Sequence, residues 1–400
     1  MRRVQPERIV VVGAGLAGLR TVEELRSGGY RGDLTLVGAE NRPPYDRPPL
    51  SKQVLAGAVD DTTLRTGYES LAATIRLGET AVSLGDRVVR TDRAEHPFDA
   101  LVIATGARPV ALPGSGPQRF LRTLDDALSL RRLLVPGARI AVVGAGWIGA
   151  ELATAAAGRG CRVTVVESGP APLAGAVGAE VGAITAGWYA QAGVELRLGQ
   201  AVRSVQDGGL DLADGGWLPA DVVVAAVGVR PEVGWLDGSG LTLADGIEVD
   251  EHLRATLPGI YAVGDCAAFW SGRFGRRMRP EHWDVALRGP AVLAANLLGG
   301  RERYDPVPYF WSEQFGRMLQ YVGDHRVADR LVWRGSHEPG AGDRERWAAC
   351  WLAGDRLVAL LAVGLPRDIT QARRVIESGA AVDQALLADP DRPVRDAVRG

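Results

Sequence analysis

Short apolar runs alternate along the chain with segments whose apolar residues recur at helical spacing. Arg8–Gly13 predicts a strand, the leucines and valines that follow predict a helix ending at Gly28, and Asp33–Gly38 predicts the next strand. The same order returns about 130 residues later, in Ala138–Gly144, Trp147–Ala157 and Arg162–Glu167. The pattern therefore indicates α/β architecture with parallel sheets, built from two copies of one βαβ unit.

The last part of the chain follows a different pattern, because predicted strands succeed one another there without helices between them. These strands are Met318–Gly323, Arg330–Arg334, Arg346–Leu352 and Arg356–Val363. A hairpin turn at Gly354-Asp355 and a helix over Ile369–Ser378 complete the pattern. We predict a separate α+β domain with an antiparallel sheet.

Two hinges divide the rest of the chain. One is the proline- and glycine-rich stretch 109–117, just before the second copy, and the other lies near Gly234–Gly240. The predicted segments are 1–110, 111–236, 237–308 and 309–400, and the first and third segments form one domain.

Composition adds few restrictions. The chain has 400 residues, of which 46% are hydrophobic and 24% are charged, as in ordinary globular proteins. The net charge of −2 gives no indication of a nucleic-acid or membrane partner, and the apolar runs are too short to span a bilayer. Cys161, Cys266 and Cys350 form neither a redox pair nor a metal-spaced cluster. We therefore expect a cytoplasmic protein with reduced thiols and no metal site.

Each βαβ copy carries a G-x-G-x-x-G sequence between its strand and its helix. The first is Gly13-Ala14-Gly15-Leu16-Ala17-Gly18, and the second is Gly144-Ala145-Gly146-Trp147-Ile148-Gly149. In this context the first glycine makes the tight turn, the second lets the backbone approach a pyrophosphate, and the third permits close packing of helix on strand. The helix N-terminus then attracts the phosphates. Two such loops predict two dinucleotides, one a tightly held flavin and the other an exchangeable nicotinamide.

An acidic residue marks the end of the second strand in each copy: Glu167 ends that strand in the second copy, and Glu40 lies just past it in the first. Glu167 lies 23 residues after Gly144, where a carboxylate binds the adenosine ribose and repels a 2′-phosphate. We therefore predict NADH rather than NADPH. Glu40 in the first copy has two interpretations that the sequence leaves open: a ribose ligand, or an ordinary exposed loop glutamate.

Four further strings, together with both glycine loops in this order, resemble a known family. They are Tyr45-Asp46-Arg47-Pro48-Pro49-Leu50-Ser51-Lys52, Ala104-Thr105-Gly106-Ala107-Arg108-Pro109, Ile260-Tyr261-Ala262-Val263-Gly264-Asp265-Cys266-Ala267 and Tyr309-Phe310-Trp311-Ser312-Glu313-Gln314. The chain is similar over its whole length to the FAD-dependent, NADH-using ferredoxin reductases of bacterial P450 and aromatic-ring dioxygenase systems. This resemblance implies two Rossmann-like domains, for FAD and NADH, plus a C-terminal α+β domain.

The resemblance also implies roles for individual residues. The FAD residues it implies, with those of the first loop, are Gly13, Gly15, Ala17, Gly18, Glu40, Arg47, Lys52, Val82, Ala104, Thr105, Gly106, Arg122, Asp265, Trp283 and Trp311. The NADH residues are Gly144, Gly146, Ile148, Gly149, Glu151, Glu167 and Gly228. Lys52 would stabilise reduced flavin, Val82 would meet the adenine through its backbone, and Glu151 would lie near the nicotinamide. No side chain is assigned as acid, base or nucleophile.

Simpler interpretations stay open for several of these residues. Lys52 and Glu151 could be solvated charges, and Trp283 and Trp311 could be core residues. Asp265 could cap a helix over Cys266–Phe269, which is compatible with flavin binding.

Two positions depart from the family pattern. Gly289, next to Arg288, stands where relatives have glutamine, and Gly364 stands where they have asparagine. Both positions lie where relatives face the flavin or the partner, so they bear more on the prediction of the electron acceptor than on that of the cofactors.

The function implied by the resemblance is electron transfer from NADH through FAD to a [2Fe–2S] ferredoxin that supplies a P450 or dioxygenase. Ferredoxins are typically acidic, so the loop residues Arg273, Arg276, Arg277 and Arg279 either form a docking surface or are solvated without a partner. The alternatives are an NADH-dependent flavin enzyme that reduces a small molecule or O2 directly, and a flavoprotein that senses NADH without turnover.

Overall fold

The computed structural model describes residues 5–64, 67–336 and 345–399. Its chain forms two compact units. The first comprises Met1–Asp46, Thr62–Arg108 and Arg230–Pro308, and the second comprises Arg47–Asp61, Pro109–Val229 and Tyr309–Gly400. Two short strands, Ala107–Pro109 and Val229–Pro231, lie where the chain passes from one unit to the other. The finer division into segments ending at 110, 236 and 308 stays a prediction.

The first unit is built on a five-stranded parallel sheet. Its strands, in spatial order, are Ile260–Ala262, Ala100–Ile103, Arg8–Val12, Asp33–Gly38 and Thr74–Leu77. The central strand is a continuous apolar run because both faces of a parallel sheet are covered, and Ile9 to Val12 are all buried. The glycine loop leaves this strand where the strand order changes direction, which is the position at which open α/β sheets bind ligands.

Smaller elements complete the first unit. Helix Leu16–Ser27 packs against helix Trp283–Leu297. One antiparallel sheet contains Ala81–Gly85, Val88–Thr91 and Glu95–Pro97, and a mixed sheet contains Leu243–Ala244, Gly246–Val249, Ala267–Ser271 and Arg276–Met278. Single 3₁₀ turns are present at Tyr68–Leu71 and Gly234–Leu236.

The second unit repeats the arrangement of the first. Its parallel sheet has the spatial order Glu195–Arg197, Arg162–Val166, Arg139–Val143, Val222–Ala225. An antiparallel sheet of Val202–Gln206, Gly209–Leu212 and Trp217–Pro219 lies beside it. The helices are Gln53–Ala56, Leu124–Leu133, Trp147–Gly158, Ala174–Val177 and Ala179–Gln191, with a 3₁₀ turn at Pro48–Ser51. The repeated strand–loop–helix order is the duplication that the sequence predicted.

The C-terminal part of the second unit is a five-stranded antiparallel sheet. Its strands, in spatial order, are Tyr309–Gln314, Arg317–Gly323, Arg356–Val363, Arg346–Ala353 and Arg330–Ser336. Helices Pro366–Ser378 and Gln384–Ala388 follow, with 3₁₀ turns at His325–Val327 and Val394–Ala397. The predicted fold class, α/β with two Rossmann-like folds and a C-terminal α+β domain, is confirmed.

The C-terminal sheet shares a core with the helices of the same unit. Trp188, on helix Ala179–Gln191, packs with Trp347 and Trp351 of the sheet. Its indole N–H donates to Glu345 at 2.9 Å, and Arg317 pairs with the same carboxylate at 3.2 Å. These ionic groups are almost fully buried, so breaking the pair would leave an unpaired buried charge. The C-terminal sheet is therefore tightly joined to helix Ala179–Gln191 of the same unit.

One local prediction is wrong. The segment after Asp265 is not a helix over Cys266–Phe269, because Ala267–Ser271 is a strand. It pairs in parallel with Gly246–Val249 and in antiparallel with Arg276–Met278. Asp265 therefore caps no helix there. Among the residues that the structure describes, no helix is both long enough and apolar enough to cross a membrane.

Candidate functional site

The first glycine loop is built from close backbone contacts. Gly13 has a φ of +112°, and a Cβ there would lie 2.1 Å from the carbonyl oxygen of Ala104. A Cβ at Gly18 would lie 1.8 Å from the carbonyl oxygen of Gly13. At Gly15, by contrast, a Cβ would meet no atom within 4 Å. The first and third glycines thus permit the turn, and the second exposes backbone that a phosphate can approach.

The helix that begins after Gly15 has its N-terminus at this loop. Its N-cap is glycine, so no N-cap side chain competes for the first-turn N–H groups. Gly264, with a φ of +79°, brings the chain beside this turn, because a Cβ there would lie 3.1 Å from that of Ala17. Asp265 therefore lies next to the first turn of the helix. Its own carbonyl oxygen accepts a hydrogen bond from Arg279 at 3.0 Å.

Glu40 and Val82 are two further predicted FAD residues that lie in the first unit. Glu40 is half-buried and accepts a hydrogen bond from the Tyr45 hydroxyl at 2.6 Å, so it is not a freely solvated loop residue. Val82 lies where the register of two strands shifts, between Ala81 and Ser83. A bulged residue leaves its backbone outside the ladder, as a backbone contact to an adenine requires.

The Ala104-Thr105-Gly106 string follows the strand that neighbours the glycine loop. The Thr105 hydroxyl donates to the carbonyl oxygen of Glu232 at 2.6 Å, and Gly106 accepts from the Glu232 N–H at 2.9 Å. These bonds fix the loop at the carboxyl end of the sheet, beside Gly13.

Trp283 is held through its side chain. Its indole N–H donates to the Asp46 carboxylate at 2.7 Å, across 237 residues of sequence. The ring is only half-buried, so Trp283 is not simply a core residue.

The second glycine loop repeats the geometry of the first. Gly144 has a φ of +101°, and a Cβ there would lie 2.4 Å from the carbonyl oxygen of Ala226. A Cβ at Gly149 would lie 2.0 Å from the carbonyl oxygen of Gly144, whereas one at Gly146 would meet nothing within 4 Å. Two loops with the same pair of close contacts and the same open central glycine fit two dinucleotides.

The sequence predicted that Glu167 ends the strand Arg162–Glu167; in the structure the strand ends at Val166 and Glu167 follows it directly. Its Oε2 accepts the Ala145 N–H at 2.8 Å, and its Oε1 accepts the Gly169 N–H at 2.7 Å. A carboxylate retains further lone pairs for ribose hydroxyls. The side chain is thus fixed beside the glycine loop.

Ile148 and Gly228 are both exposed; Ile148 lies in the second glycine loop, and Gly228 follows Ala226, whose carbonyl oxygen faces Gly144. Ile148 is 43% exposed, which is unusual for a large apolar residue. Gly228 has a φ of +102°, and a Cβ there would meet nothing within 4 Å. Its carbonyl oxygen accepts the Val110 N–H at 3.0 Å.

Lys52 and Glu151 form a buried ion pair in the second unit. Lys52 Nζ lies 2.8 Å from Glu151 Oε2, and the two side chains are 12% and 3% exposed. Ser51 also donates to Oε2, and Ser312 donates to Oε1 at 2.6 Å. Neither Lys52 nor Glu151 is therefore a solvated charge, because each is buried and paired with the other.

Arg47, Arg122 and Trp311 also belong to the second unit. The Arg47 guanidinium donates to the carbonyl oxygen of Arg122 at 2.5 Å. Trp311 is half-buried and stacks on Tyr309, with ring centroids 6.0 Å apart.

The three thiols are unsuited to redox chemistry. All are free, and Cys266 and Cys350 are fully buried. Burial raises the pKa of the Cys266 thiol, and it raises the pKa of Cys350 to about 12. A raised pKa leaves almost no thiolate near neutral pH.

We expect iodoacetamide to leave NADH-driven reduction unchanged near neutral pH, because only Cys161 is partly exposed. The labelled sites would be identified by mass spectrometry, with activity followed in parallel. Loss of activity in proportion to labelling of Cys266 would contradict this and favour direct reduction of a small molecule.

The sequence missed residues that the fold brings to these sites. Ser51 and Ser312 contact Glu151, and Asp46 holds Trp283. All three lie inside the strings that carried the resemblance, but no local spacing indicates their contacts.

Gly289 and Gly364 depart from the family pattern for steric reasons. A Cβ at Gly289 would lie 2.7 Å from Val263 Cγ2, so the helix packs closely here. Gly364 has a φ of +67° before helix Pro366–Ser378, and a Cβ there would lie 2.8 Å from the carbonyl oxygen of Glu345.

Comparisons with known proteins agree with this geometry. A family model described as pyridine nucleotide-disulphide oxidoreductase matches residues 7–289, and one described as reductase C-terminal matches residues 309–398. Enzymes of this family use FAD and NAD(H), so the predicted cofactors are confirmed. Among the described residues, no cluster of side chains could hold a metal ion.

Similar proteins cover nearly the whole chain. The ferredoxin–NAD(+) reductase component of the anthranilate 1,2-dioxygenase system of Burkholderia cepacia is 38% identical over 95% of this chain and 97% of its own. Putidaredoxin reductase of Pseudomonas putida is 34% identical, over 98% and 97%.

Solved structures give the same result. The crystal structure of Fdr9 has a TM-score of 0.93 at 50% identity, covering 97% of this chain and 99% of that one. The covalent putidaredoxin reductase–putidaredoxin complex has a TM-score of 0.91 at 32% identity, covering 98% of both chains. The resemblance seen in the sequence is therefore confirmed, and the chain belongs to the pyridine nucleotide-disulphide oxidoreductase family, with a reductase C-terminal domain.

Proposed function

We propose that this chain is an NADH-dependent flavoprotein reductase that delivers electrons to a [2Fe–2S] ferredoxin serving a P450 or a ring dioxygenase. The observation that carries the proposal is the repeated loop geometry, in which Gly15 and Gly146 each expose backbone at a helix N-terminus. When bound, FAD takes a hydride from NADH and passes single electrons on. The absence of a reactive thiol supports ferredoxin, rather than a small molecule or O2, as the acceptor.

The chain's own residues bind and orient the cofactors. For FAD we propose Gly13, Gly15, Ala17, Gly18, Glu40, Arg47, Lys52, Val82, Ala104, Thr105, Gly106, Arg122, Asp265, Trp283 and Trp311. For NADH we propose Gly144, Gly146, Ile148, Gly149, Glu151, Glu167 and Gly228. Helix N-termini would neutralise the phosphates, Glu167 would accept from the ribose, and the Lys52 ammonium would offset the charge gained by the flavin.

The first test of this function uses the purified protein. We expect flavin absorbance that bleaches on addition of NADH, and NADH-driven reduction of at least one member of a panel of [2Fe–2S] ferredoxins. A colourless protein that takes up no added FAD would contradict the proposal. Hydrogen peroxide formed as fast without ferredoxin as electrons are passed with it would favour the direct reduction of O2.

Ferredoxin docking is proposed at the hairpin formed by Ala267–Ser271 and Arg276–Met278. Its four arginines are not equivalent. Arg277 donates to the carbonyl oxygens of Val249 and Ala268 and pairs with Glu248, and the Arg279 side chain is only 8% exposed. Arg273 is exposed in the turn of the hairpin and Arg276 is partly exposed, so an acidic partner could reach both. The neighbouring Trp270, 48% exposed, supports an interface here.

We expect Arg273→Glu combined with Arg276→Glu to slow ferredoxin reduction and to weaken its dependence on salt, because steering by opposite charges is screened by ions. Steady-state rates would be measured over a range of ionic strength. The matched control is charge reversal at Arg395, whose side chain is 73% exposed. An unchanged salt dependence in the double variant would reject this docking site.

We also propose a cytoplasmic location, where NADH is available and where the three unpaired cysteines would remain reduced. The domain roles we propose are FAD binding by 1–110 and 237–308, NADH binding by 111–236, and the C-terminal domain in 309–400.

A further inference from the structure

Lys52 is the only lysine in a chain that has 46 lysines and arginines in total. Every other basic position of the Lys/Arg type is arginine, so the chain uses guanidinium wherever a simple positive charge suffices. Arginine and lysine differ in shape: guanidinium is a large planar fork, whereas ammonium is a compact point charge with three donors. The single exception therefore indicates a requirement for an ammonium at this site.

The surroundings of Lys52 fit that requirement. Its Nζ lies 2.8 Å from Glu151 Oε2, 3.4 Å from Ser51 Oγ and 3.4 Å from the carbonyl oxygen of Pro48. Three acceptors thus surround a group with three N–H donors. The side chain is only 12% exposed, which leaves little room for a longer planar group.

The donor and acceptor roles in the surrounding hydrogen bonds are set by two groups that can only donate, the Gln314 amide nitrogen and the Lys52 ammonium. Gln314 Nε2 donates to Ser312 Oγ at 3.0 Å, so the Ser312 hydroxyl must direct its own hydrogen to Glu151 Oε1, 2.6 Å away. Lys52 likewise donates to Ser51, whose hydroxyl donates to Glu151 Oε2. The carboxylate is consequently held from both oxygens, and Ser312 alone contacts Oε1 among the bonds observed.

Ser312 is itself rigidly placed. Its strand, Tyr309–Gln314, lies along one face of helix Trp147–Gly158. Phe310 packs on Trp147 with ring centroids 4.9 Å apart, and the Phe315 N–H donates to Thr154 Oγ1 at 3.0 Å. Helix positions 147, 151 and 154 share a face, so these contacts bracket the Ser312–Glu151 bond.

We propose that Ser312 is a positioning residue, by which the C-terminal sheet holds the Lys52 ammonium in place through Glu151. The inference rests on the proposed function, since Lys52 is proposed to offset the charge that the flavin gains from NADH. By this proposal, the C-terminal sheet influences hydride transfer from NADH to FAD, in addition to any contact that it makes with the ferredoxin.

The sole lysine permits a direct test that does not depend on turnover. The FAD-loaded protein, carrying no lysine in any tag, would be produced with ¹⁵N-labelled lysine, so that its NMR spectrum contains one Nζ signal. We expect Ser312→Ala to shift this signal and to speed exchange of its protons with water, because the carboxylate loses one of its three donors. Stopped-flow bleaching by NADH should slow about tenfold, while the KM for ferredoxin stays within about twofold.

Matched variants separate positioning from general damage. Ser312→Thr keeps the hydroxyl and should restore both the Nζ signal and the bleaching rate. Glu313→Gln, at the exposed neighbouring position on the same strand, should change neither. Lys52→Arg keeps the charge but should slow bleaching at least as much as Ser312→Ala. Flavin content would verify that each variant is folded.

Two results would overturn the inference: an Nζ signal unchanged in Ser312→Ala, or a shifted signal with an unchanged bleaching rate. Failure of the proposed function looks different. In that case the wild-type protein itself is not bleached by NADH, whatever the Nζ signal does.

Discussion

Replacing Gly144 with alanine is expected to lower kcat/KM for NADH about a hundredfold while FAD remains bound. Alanine would be forced to a φ near +101° and its Cβ would lie 2.4 Å from the carbonyl oxygen of Ala226, so the loop must move. Displacing backbone by even about 1 Å costs on the order of a hundredfold in rate. The measurement is kcat/KM for NADH, with flavin content and circular dichroism recorded on the same sample.

Gly137 offers the control for backbone strain. It has a φ of +81°, similar to that of Gly144, but a Cβ there would meet nothing within 4 Å. Gly137→Ala should lower the free energy of unfolding by about 1–2 kcal/mol and leave kcat/KM for NADH unchanged. If Gly144→Ala used NADH as well as Gly137→Ala does, this loop would not be the site of NADH binding.

The second large effect concerns the choice between NADH and NADPH. The wild-type protein is expected to prefer NADH over NADPH by about a hundredfold or more, because the Glu167 carboxylate would face the 2′-phosphate of NADPH. Two like charges placed together cost several kcal/mol, and roughly 1.4 kcal/mol corresponds to a tenfold change in affinity. Glu167→Gln should raise the KM for NADH about tenfold and reduce the preference for NADH over NADPH. The change removes the charge and one acceptor for the N–H groups of Ala145 and Gly169.

A matched substitution separates charge from loop geometry. Glu195→Gln removes a carboxylate from the strand next to Arg162–Val166 in the same sheet, and it should leave the preference for NADH over NADPH unaltered. Equal rates of flavin bleaching by NADPH and NADH in the wild-type protein would remove the argument from Glu167 altogether.

The sequence predicted the parts of the fold that depend on local periodicity. The strands Asp33–Gly38 and Arg356–Val363 have the predicted bounds, and helix Trp147–Gly158 ends one residue beyond the prediction. Both glycine loops were evident for the same reason, since turn, helix start and neighbouring strand lie within a few residues of each other. The prediction of a helix after Asp265 was wrong because the strand that forms there is stabilised by distant partners, the strands Gly246–Val249 and Arg276–Met278.

By itself, the sequence determined the two glycine loops, the α/β class and a C-terminal α+β domain, and it predicted the acidic residue that we propose favours NADH. Only the tertiary structure decided that Lys52 pairs with Glu151 across 99 residues, that Ser312 reaches the same carboxylate across 161, and that the C-terminal sheet shares a core with Trp188. Spacing along a chain encodes interactions within a turn or a strand pair. Partners in a buried polar network are chosen by the packing of whole elements, which no local pattern contains.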